Sequence, residues 1–500
     1  MTQTESAYSE MVERVRQGRL LAACMGLLSW DERTYMPRAG GPLRGEQMAL
    51  LAQLYHERLA DPRLGELLAQ LADAPLGEPE QACVREVRRV HDRAVKIPKR
   101  LVEELARTTT LAQGVWVEAR AKSDYSLFLP HLQTIVRLKR EEAQAVGYDQ
   151  SPYDALLDEY EPGATVAQLQ PIFAGLADAL VPLIAAIANS TVRPDRSIIE
   201  REYPVDRQRF FAESAAAAVG FRFDAGRLDV SAHPFCSGLG PGDCRLTTRY
   251  HPRRFNDGFF GMLHEVGHGL YEQNLDPQHF GTPLGEAVSL GIHESQSRLW
   301  ENQVGRSEPF WRHFFPRAKQ AFPEALAEVG HEAFYLAINE VTPSFIRVEA
   351  DEATYNLHII LRFELEQALL ADQLQPADLP LAWNERFQQL LGLSPPDDAR
   401  GCLQDIHWSS GGLGYFPTYT LGNLYAAQFM AQAKRDLPDL DEAFARGDFA
   451  PLRQWLTHSI HRHGSRYRPD ELCRRVTGQP LDPSVFVTYL RDKLAPLYRL

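Results

Sequence analysis

Residues 264–268 read His264-Glu265-Val266-Gly267-His268, which is an H-E-x-x-H pattern. On a helix, residues four apart lie on one face about one turn from each other, so the two imidazoles converge as ligands for a zinc ion. Glu265 then lies beside the open coordination position, where it accepts a proton from a zinc-bound water whose pKa has fallen to about 7. The stretch predicts a metal-binding helix of the zincin type and, as its chemistry, hydrolysis of a peptide bond.

The residues around this pattern favour a buried helix. From Arg254 to Leu275 the apolar residues recur close to the helical period, at Phe255, Phe259, Met262, Leu263, Val266 and Leu270. Gly261, Gly267 and Gly269 interrupt them, and each glycine inside a helix costs about 1 kcal/mol relative to alanine. We therefore expect backbone or ligand to approach this helix closely. The alternative is an ordinary core helix with two hydrogen-bonded histidines.

A catalytic zinc ion needs a third protein ligand. The helical stretch 283–303 offers Glu286, His293, Glu294 and Glu301. Glu294 is the best candidate because it follows His268 late enough for the chain to turn and bring a second helix against the first. The alternative is a carboxylate that is merely solvated.

Composition and periodicity predict one large, mostly helical (all-α) domain over 1–500. The chain has 500 residues, 44% of them hydrophobic, and no linker divides it. Helical periodicity marks these segments: 5–25, 40–60, 78–110, 128–146, 166–190 and 204–219. We expect a helical half 1–219, a small sheet in 220–250, metal-binding helices in 251–303, and a helical half 304–500 with a Gly-rich loop 409–422. The edge strand of the sheet would pair with an extended substrate backbone.

Charge and targeting signals exclude several classes of protein. The net charge of −13 argues against nucleic acid and anionic membrane as partners. We find no apolar run near the roughly 18 residues that a membrane span requires. The N-terminus lacks a basic region followed by an apolar one, so we expect a cytoplasmic protein. The six cysteines show no C-x-x-C spacing and are expected to be reduced.

Further stretches along most of the chain resemble the carboxypeptidase Taq family of zinc metallocarboxypeptidases. Besides the pentad, the matching motifs are Trp30-Asp31-Glu32 to Met36-Pro37, His233-Pro234-Phe235, Asp243-Cys244-Arg245-Leu246-Thr247, His293-Glu294-Ser295-Gln296, Ile346-Arg347-Val348-Glu349-Ala350-Asp351 and Gly401-Cys402-Leu403-Gln404-Asp405-Ile406-His407-Trp408. Ordered motifs of this kind are far more specific than one pentad.

The resemblance implies an almost wholly helical protein with a small sheet beside a deep groove, usually a homodimer. It implies release of single residues from the C-termini of peptides, with broad side-chain tolerance. Carried over position by position, His264, His268 and Glu294 hold one zinc ion per chain, which cobalt can replace. Glu265 acts as general base and then as proton donor to the leaving amine.

An enzyme that works from the C-terminus must recognise a free carboxylate, which a guanidinium binds through two parallel hydrogen bonds. We predict Arg347 for this role and Arg245 as the second candidate. The alternative for Arg347 is an ion pair with Glu349 or Asp351.

A second group of residues can stabilise the oxyanion that develops beside the metal. His407 and the glycine-rich loop after it resemble the His-then-Gly-Tyr loop of related helical zinc peptidases. A tyrosine hydroxyl or an imidazole there can donate to the oxyanion, which is worth about 3 kcal/mol per donor. The sequence does not choose between Tyr415 and Tyr419, and packing is the alternative for both. His233 is expected to line the closed end of the groove, or else to form a turn.

Two other functions fit the same motifs. The zinc site could serve an oligopeptidase that cuts internally or removes dipeptides. A groove could also bind peptides without cutting them, although the intact Glu265 argues against a non-catalytic module.

Overall fold

The computed structural model describes residues 2–500, which form two compact units of three chain segments each. Unit 1 consists of Met1–Val95, Pro194–Ile338 and Tyr425–Pro480. Unit 2 consists of Lys96–Arg193, Asn339–Leu424 and Leu481–Leu500. Both units draw on the predicted halves 1–219 and 304–500, and one domain over 1–500 stays a prediction.

The α-helices of the described residues follow one another in this order: α1 Gln3–Thr34, α2 Gly41–Leu59, α3 Pro62–Leu71, α4 Glu78–Lys96, α5 Lys99–Lys122, α6 Tyr125–Val146, α7 Pro152–Leu157, α8 Val166–Asn189, α9 Ser197–Glu200, α10 Val205–Val219, α11 Phe255–Asn274, α12 Leu290–Arg298, α13 Glu308–Ala321, α14 Pro323–Leu326, α15 His331–Ile338, α16 Tyr355–Leu370, α17 Leu379–Leu391, α18 Pro417–Asp436, α19 Leu440–Arg446, α20 Ala450–Ser459, α21 Pro469–Thr477 and α22 Pro483–Tyr498. The mostly helical fold is confirmed.

One predicted helix is wrong. The segment 78–110 is not continuous, because α4 ends at Lys96 and α5 begins at Lys99. Pro98 lies at the N-cap of α5. Proline has no backbone N–H and disfavours helical geometry in the residue before it, so it ends one helix and starts the next.

The predicted small sheet is present in unit 1, within 220–250. Its strands are β1 Gly226–Val230, β2 Phe235–Gly240 and β3 Asp243–Thr248, in the order β1-β3-β2. β1 pairs with β3 in parallel, with Leu228 opposite Leu246, and β2 pairs with β3 in the antiparallel sense. The tight turn from β2 to β3 uses Gly240 and Gly242, both of which have positive φ. In the order β1-β3-β2, β2 is an edge strand, which is the position that pairing with a substrate backbone requires.

Helix α11 carries the H-E-x-x-H residues and lies in the core of unit 1. Phe255 and Phe259 stack with their ring centroids 5.3 Å apart, and Phe259 packs at the same distance against Trp311 of α13. The apolar residues that recur at the helical period in the sequence thus form the buried face of this helix.

Of the three α11 glycines expected to mark close approaches, two do so. A Cβ on Gly267 would lie 2.4 Å from the carbonyl oxygen of Gln296 in α12. A Cβ on Gly269 would lie 3.0 Å from the Leu246 side chain in β3. At Gly261 the nearest atom is 3.7 Å away, an ordinary contact, so the expectation is confirmed for Gly267 and Gly269 and wrong for Gly261.

We expect Gly267→Ala to lower the stability of the protein by about 1–3 kcal/mol. The added methyl group would meet the backbone of α12, which cannot move aside as a flexible side chain can. Gly261→Ala is the matched control on the same helix. It has room for the methyl group and gains helix propensity, so its melting temperature should equal or exceed that of the wild type. Thermal unfolding of the two variants checks this, and equal melting temperatures would contradict the packing argument.

Helix α8, in unit 2, is long and apolar enough to cross a membrane, judged by length and composition alone. The expectation that the chain contains no such run is therefore wrong. In the structure one face of α8 lies buried, and the Phe173 ring centroid lies 4.9 Å from that of Phe363 in α16. Buried core helices of large proteins have the same composition.

Candidate active site

Three of the predicted side chains converge in unit 1. The Nε2 atoms of His264 and His268 lie 3.5 and 3.4 Å from Oε2 of Glu294. One ligand atom from each residue lies within 4.8 Å of the other two. The two histidines lie one turn apart on α11, and Glu294 lies on α12, whose backbone packs directly on Gly267. The close helix contact therefore places the carboxylate opposite the imidazoles.

The donor set fits a zinc ion. Zinc–nitrogen and zinc–oxygen bonds of about 2.0–2.1 Å in a tetrahedral site place ligand atoms about 3.3 Å apart, close to the distances from Glu294 to both imidazoles. Two imidazoles and one carboxylate leave the fourth position open, as in catalytic sites.

Glu294 is held with one oxygen towards the imidazoles. Arg298 donates from Nε to Oε1 at 2.7 Å, and the Ser297 hydroxyl donates to Oε2 at 3.0 Å. Burial alone would raise the pKa of Glu294, but His264 and Arg298 hold that pKa below its usual range. The carboxylate is therefore ionised and ready to bind a cation.

Each histidine also has a partner for its other ring nitrogen. Nδ1 of His264 lies 2.9 Å from Oε2 of Glu301. Nδ1 of His268 lies 2.5 Å from Nδ1 of His293, whose Nε2 in turn lies 2.8 Å from Oε1 of Glu272. In both rings Nδ1 is engaged and Nε2 points towards Glu294.

Glu265, between the two histidines in sequence, has only 5% of its surface exposed. Burial raises the pKa of its carboxyl to about 7, with Glu294 adding to the shift and His264 opposing it. A carboxyl group with a pKa near neutrality can both accept and return a proton, which is what a general base that later becomes a general acid must do.

The remaining candidates from 283–303 have other partners. Glu301 contacts His264 and also accepts from Nη1 of Arg298 at 3.0 Å. It lies in a π-helical turn, Leu299–Val304, that continues α12. Such wider turns are frequent at functional sites. Glu286 pairs with Arg19 at 2.6 Å and is not part of the convergent group.

Arg245 lies on the central strand β3. It makes two parallel hydrogen bonds with Asp243, each 2.9 Å long, and its guanidinium lies 4.3 Å from the ring centroid of Trp30. The Trp30 motif near the start of the chain thus packs on the motif that contains Arg245. His233 is exposed in the connection between β1 and β2, where its carbonyl oxygen accepts from the Ser231 hydroxyl.

Arg347 lies in unit 2 and is 5% exposed. Neither Glu349 nor Asp351 is its partner. Its Nη2 lies 2.7 Å from Oδ1 of Asp405, and its Nη1 donates to the Tyr355 hydroxyl at 2.8 Å.

Asp405 also binds a second guanidinium. Arg362 of α16, which is fully buried, donates from Nε to its Oδ2 at 2.8 Å. Burial alone would raise the pKa of Asp405, but Arg347 and Arg362 hold that pKa well below its usual range. Counted over these three side chains, one ionised carboxylate and two guanidinium groups carry one net positive charge, and the buried carboxyl of Glu366 also interacts with Arg362. A buried cation is costly unless it is paired, so an anionic group would stabilise this cluster.

Two of the aromatic candidates contact the same cluster: Nδ1 of His407 lies 3.9 Å from Oδ1 of Asp405, and the Arg347 guanidinium lies 5.0 Å from the ring centroid of Tyr419. Nε2 of His407 lies 3.3 Å from the Tyr419 hydroxyl, and the Tyr415 and Tyr419 ring centroids lie 5.4 Å apart. Burial lowers the pKa of His407 to about 4, so its imidazole is neutral at physiological pH. A neutral imidazole and two phenols can donate hydrogen bonds without carrying charge.

The comparisons with known proteins identify the family. The family model described as "Carboxypeptidase Taq (M32) metallopeptidase" matches residues 10–494. The chain belongs to the M32 carboxypeptidase family. It is 49% identical over 507 residues to thermostable carboxypeptidase 1 of Thermus thermophilus and 39% identical over 498 residues to carboxypeptidase 1 of Bacillus subtilis, with 99% of each chain covered.

Solved structures of M32 enzymes share the fold. The M32 carboxypeptidase from Deinococcus radiodurans matches with a TM-score of 0.96 and 39% identity, covering 99% of this chain and 100% of that one. The carboxypeptidase from Pyrococcus furiosus matches with a TM-score of 0.95 and 38% identity, covering 99% of both chains. This M32 protein is thus a carboxypeptidase, a hydrolase of peptide bonds, and a member of a metallopeptidase family.

Several partners of the candidate residues in each unit were missed by the sequence analysis. Glu272 lies four residues after His268, and Arg298 four after Glu294, so helical spacing could have flagged both. In unit 2, the fully buried Glu366 accepts from the Trp408 indole N–H at 2.7 Å and from the backbone N–H of Gly414 at 3.0 Å. It therefore anchors the Gly-rich loop, a role that only the folded chain reveals.

Proposed function

We propose that this M32 carboxypeptidase is a zinc enzyme that releases single amino acids from peptide C-termini with broad side-chain tolerance. The observation that carries the proposal is the convergence of His264, His268 and Glu294 beside the buried Glu265. A bound zinc ion supplies Lewis acidity, which polarises the scissile carbonyl and acidifies water.

The protein residues divide the remaining work. His264, His268 and Glu294 hold the zinc ion. Glu265 takes a proton from the attacking water and passes it to the leaving amine, and its raised pKa favours both transfers. β2 lies at one edge of the sheet, the position from which a strand can pair with the backbone of the substrate.

Recognition of the free C-terminus is assigned to Arg347. The excess positive charge of the cluster around Asp405 supports this role, because a substrate carboxylate supplies the missing anion. Arg245 remains the second candidate, although its guanidinium already donates hydrogen bonds to Asp243 and packs on the ring of Trp30. His233 is kept as a residue lining the closed end of the groove.

Stabilisation of the oxyanion is assigned to the aromatic group of unit 2. The neutral His407 and one of Tyr415 and Tyr419 act as donors, each worth about 3 kcal/mol if well placed. We further propose that the enzyme is cytoplasmic and homodimeric, in line with its sequence and its resemblance to the family.

Purified protein is expected to contain about one zinc ion per chain and to lose activity with a chelator, because three protein ligands and a water complete a four-coordinate site. Zinc should restore activity, and cobalt should replace it. Elemental analysis alongside an activity assay checks this. Full activity in protein that lacks any transition metal would rule out the proposed mechanism.

Mass spectrometry of a defined peptide incubated with the pure protein tests the function itself. A ladder of products shortened by one residue at a time from the C-terminus is expected. Internal fragments or dipeptides would instead favour the oligopeptidase. An intact peptide in the presence of zinc-loaded protein would favour the non-catalytic peptide-binding module.

A further inference from the structure

The two histidine ligands are supported in different ways, an asymmetry within the proposed metal site. Nδ1 of His264 contacts the carboxylate of Glu301 directly at 2.9 Å. Nδ1 of His268 contacts another imidazole, that of His293, which in turn reaches the carboxylate of Glu272 at 2.8 Å. A chain of two hydrogen bonds therefore joins His268 to a carboxylate four residues further along α11.

With a neutral imidazole at His293, the direction of the protons in this chain follows from its carboxylate end. An ionised carboxylate only accepts hydrogen bonds, so Nε2 of His293 carries a hydrogen and donates it to Glu272. In a neutral imidazole the other nitrogen is then an acceptor, and Nδ1 of His293 accepts from Nδ1–H of His268. The lone pair of His268 is left on Nε2, the nitrogen that faces Glu294 at 3.4 Å. This is the tautomer that a metal ion requires.

Packing holds the hydrogen-bonded chain His268–His293–Glu272, here called the relay, in place. The ring centroids of His268 and His293 lie 4.5 Å apart with 29° between the ring planes, and Tyr271 packs on His293 at 5.4 Å. Gly238 of β2 makes room for Glu272, because a Cβ at this position would lie 2.0 Å from Oε2 of Glu272. The position of Glu272 in the relay thus depends on the absence of a side chain at Gly238 of β2.

We infer that His293 and Glu272 are positioning residues that fix the tautomer and orientation of His268 and so set the affinity of this chain for its metal ion. The inference rests on the proposed zinc site. It assigns a role to the histidine of the His-Glu-Ser-Gln motif, which is adjacent to the ligand Glu294 but points to a different partner.

Zinc affinity, measured on metal-free protein by competition with a chromophoric chelator, tests the relay without relying on activity. His293→Leu removes the acceptor and should raise the zinc dissociation constant roughly 10- to 100-fold, the usual cost of losing a residue that orients a ligand. His293→Asn retains an acceptor oxygen at the position of Nδ1 and should recover most of the affinity. Glu272→Gln should also weaken binding, because an amide allows either direction of the protons.

Two further variants separate the relay from general damage. Gly238→Ala changes no relay residue but should push the flexible Glu272 side chain away from His293, which weakens zinc binding with little loss of stability. Glu213→Gln is the control, a carboxylate of α10 that pairs with Arg209 instead and should bind zinc like the wild type. Melting of the metal-free proteins reports on folding, and the absorption spectrum of the cobalt-loaded proteins reports on ligand geometry.

The outcomes are distinct. Wild-type zinc affinity in both His293→Leu and Glu272→Gln would overturn the inference while leaving the proposed function intact. Equal losses in His293→Asn and His293→Leu would also overturn it, because ring packing rather than the hydrogen bond would then be responsible. Wild-type protein that binds no zinc would contradict the proposed function itself, and the relay with it.

Discussion

Glu265→Gln should abolish turnover while leaving the zinc content unchanged. The glutamine keeps the size of the side chain but cannot take a proton from the attacking water, and general acid–base catalysis contributes about 10²- to 10⁴-fold to rates. Since Glu265 is not one of the three convergent ligands, the metal should remain bound. The rate of hydrolysis of a free-acid peptide and the zinc content per chain are the two measurements.

Glu294→Gln is the matched comparison, because it makes the same chemical change at the proposed ligand. A neutral amide replaces the anionic oxygen that lies 3.4–3.5 Å from the two imidazoles, so metal retention should fall. Excess zinc should restore part of its activity but none in Glu265→Gln. If the two phenotypes come out reversed, the assignment of base and ligand is wrong.

Amidation of the substrate C-terminus should reduce cleavage by tens to thousands of fold. If Arg347 binds the free carboxylate, amidation leaves its guanidinium facing an uncharged group, a loss of roughly 2–5 kcal/mol. The value of kcat/KM for matched free-acid and amidated peptides measures the effect. Equal cleavage of both peptides, or internal fragments from both, would contradict recognition of a free C-terminus.

Arg347→Ala should cause a comparable loss on the free-acid peptide and should discriminate far less between the two peptides, because the discriminating contact is already gone. The variant is expected to fold, since Asp405 keeps its ion pair with Arg362 and the cluster becomes neutral. Zinc content should be unchanged. If discrimination survives in Arg347→Ala, the recognition role passes to Arg245 or His407.

Much of the site was predictable because its residues lie at helical spacing or within short motifs. His264 and His268 are four apart on one helix, and that spacing alone indicates a shared metal. Position after His268 favoured Glu294 among the carboxylates of 283–303, and the resemblance to a family strengthened that choice, since Glu286 and Glu301 have the same chemistry. Their different roles depend on which oxygen faces which nitrogen, and no local pattern encodes that.

The partners of Arg347 show where local reasoning fails. Glu349 and Asp351 were the nearest carboxylates in sequence, yet the guanidinium pairs with Asp405, 58 residues away. In the same way, the helix predicted over 78–110 had the right periodicity, but Pro98 divides it. Periodicity reports which face of a segment is buried, whereas breaks and long-range pairs depend on backbone chemistry and on the packing of distant segments.

By itself the sequence determined the helical character of the chain, the small sheet and the shared helix face of His264 and His268, because each depends on residue types at short spacing. The tertiary structure alone decided which nitrogen of each histidine is available. Glu301, 37 residues from His264, contacts Nδ1 of that histidine. His293, 25 residues from His268, contacts Nδ1 of His268 and is itself bound to Glu272. Both Nε2 atoms are therefore left facing Glu294. Hydrogen bonds act over about 3 Å, so these contacts exist only once α11 and α12 pack together through Gly267.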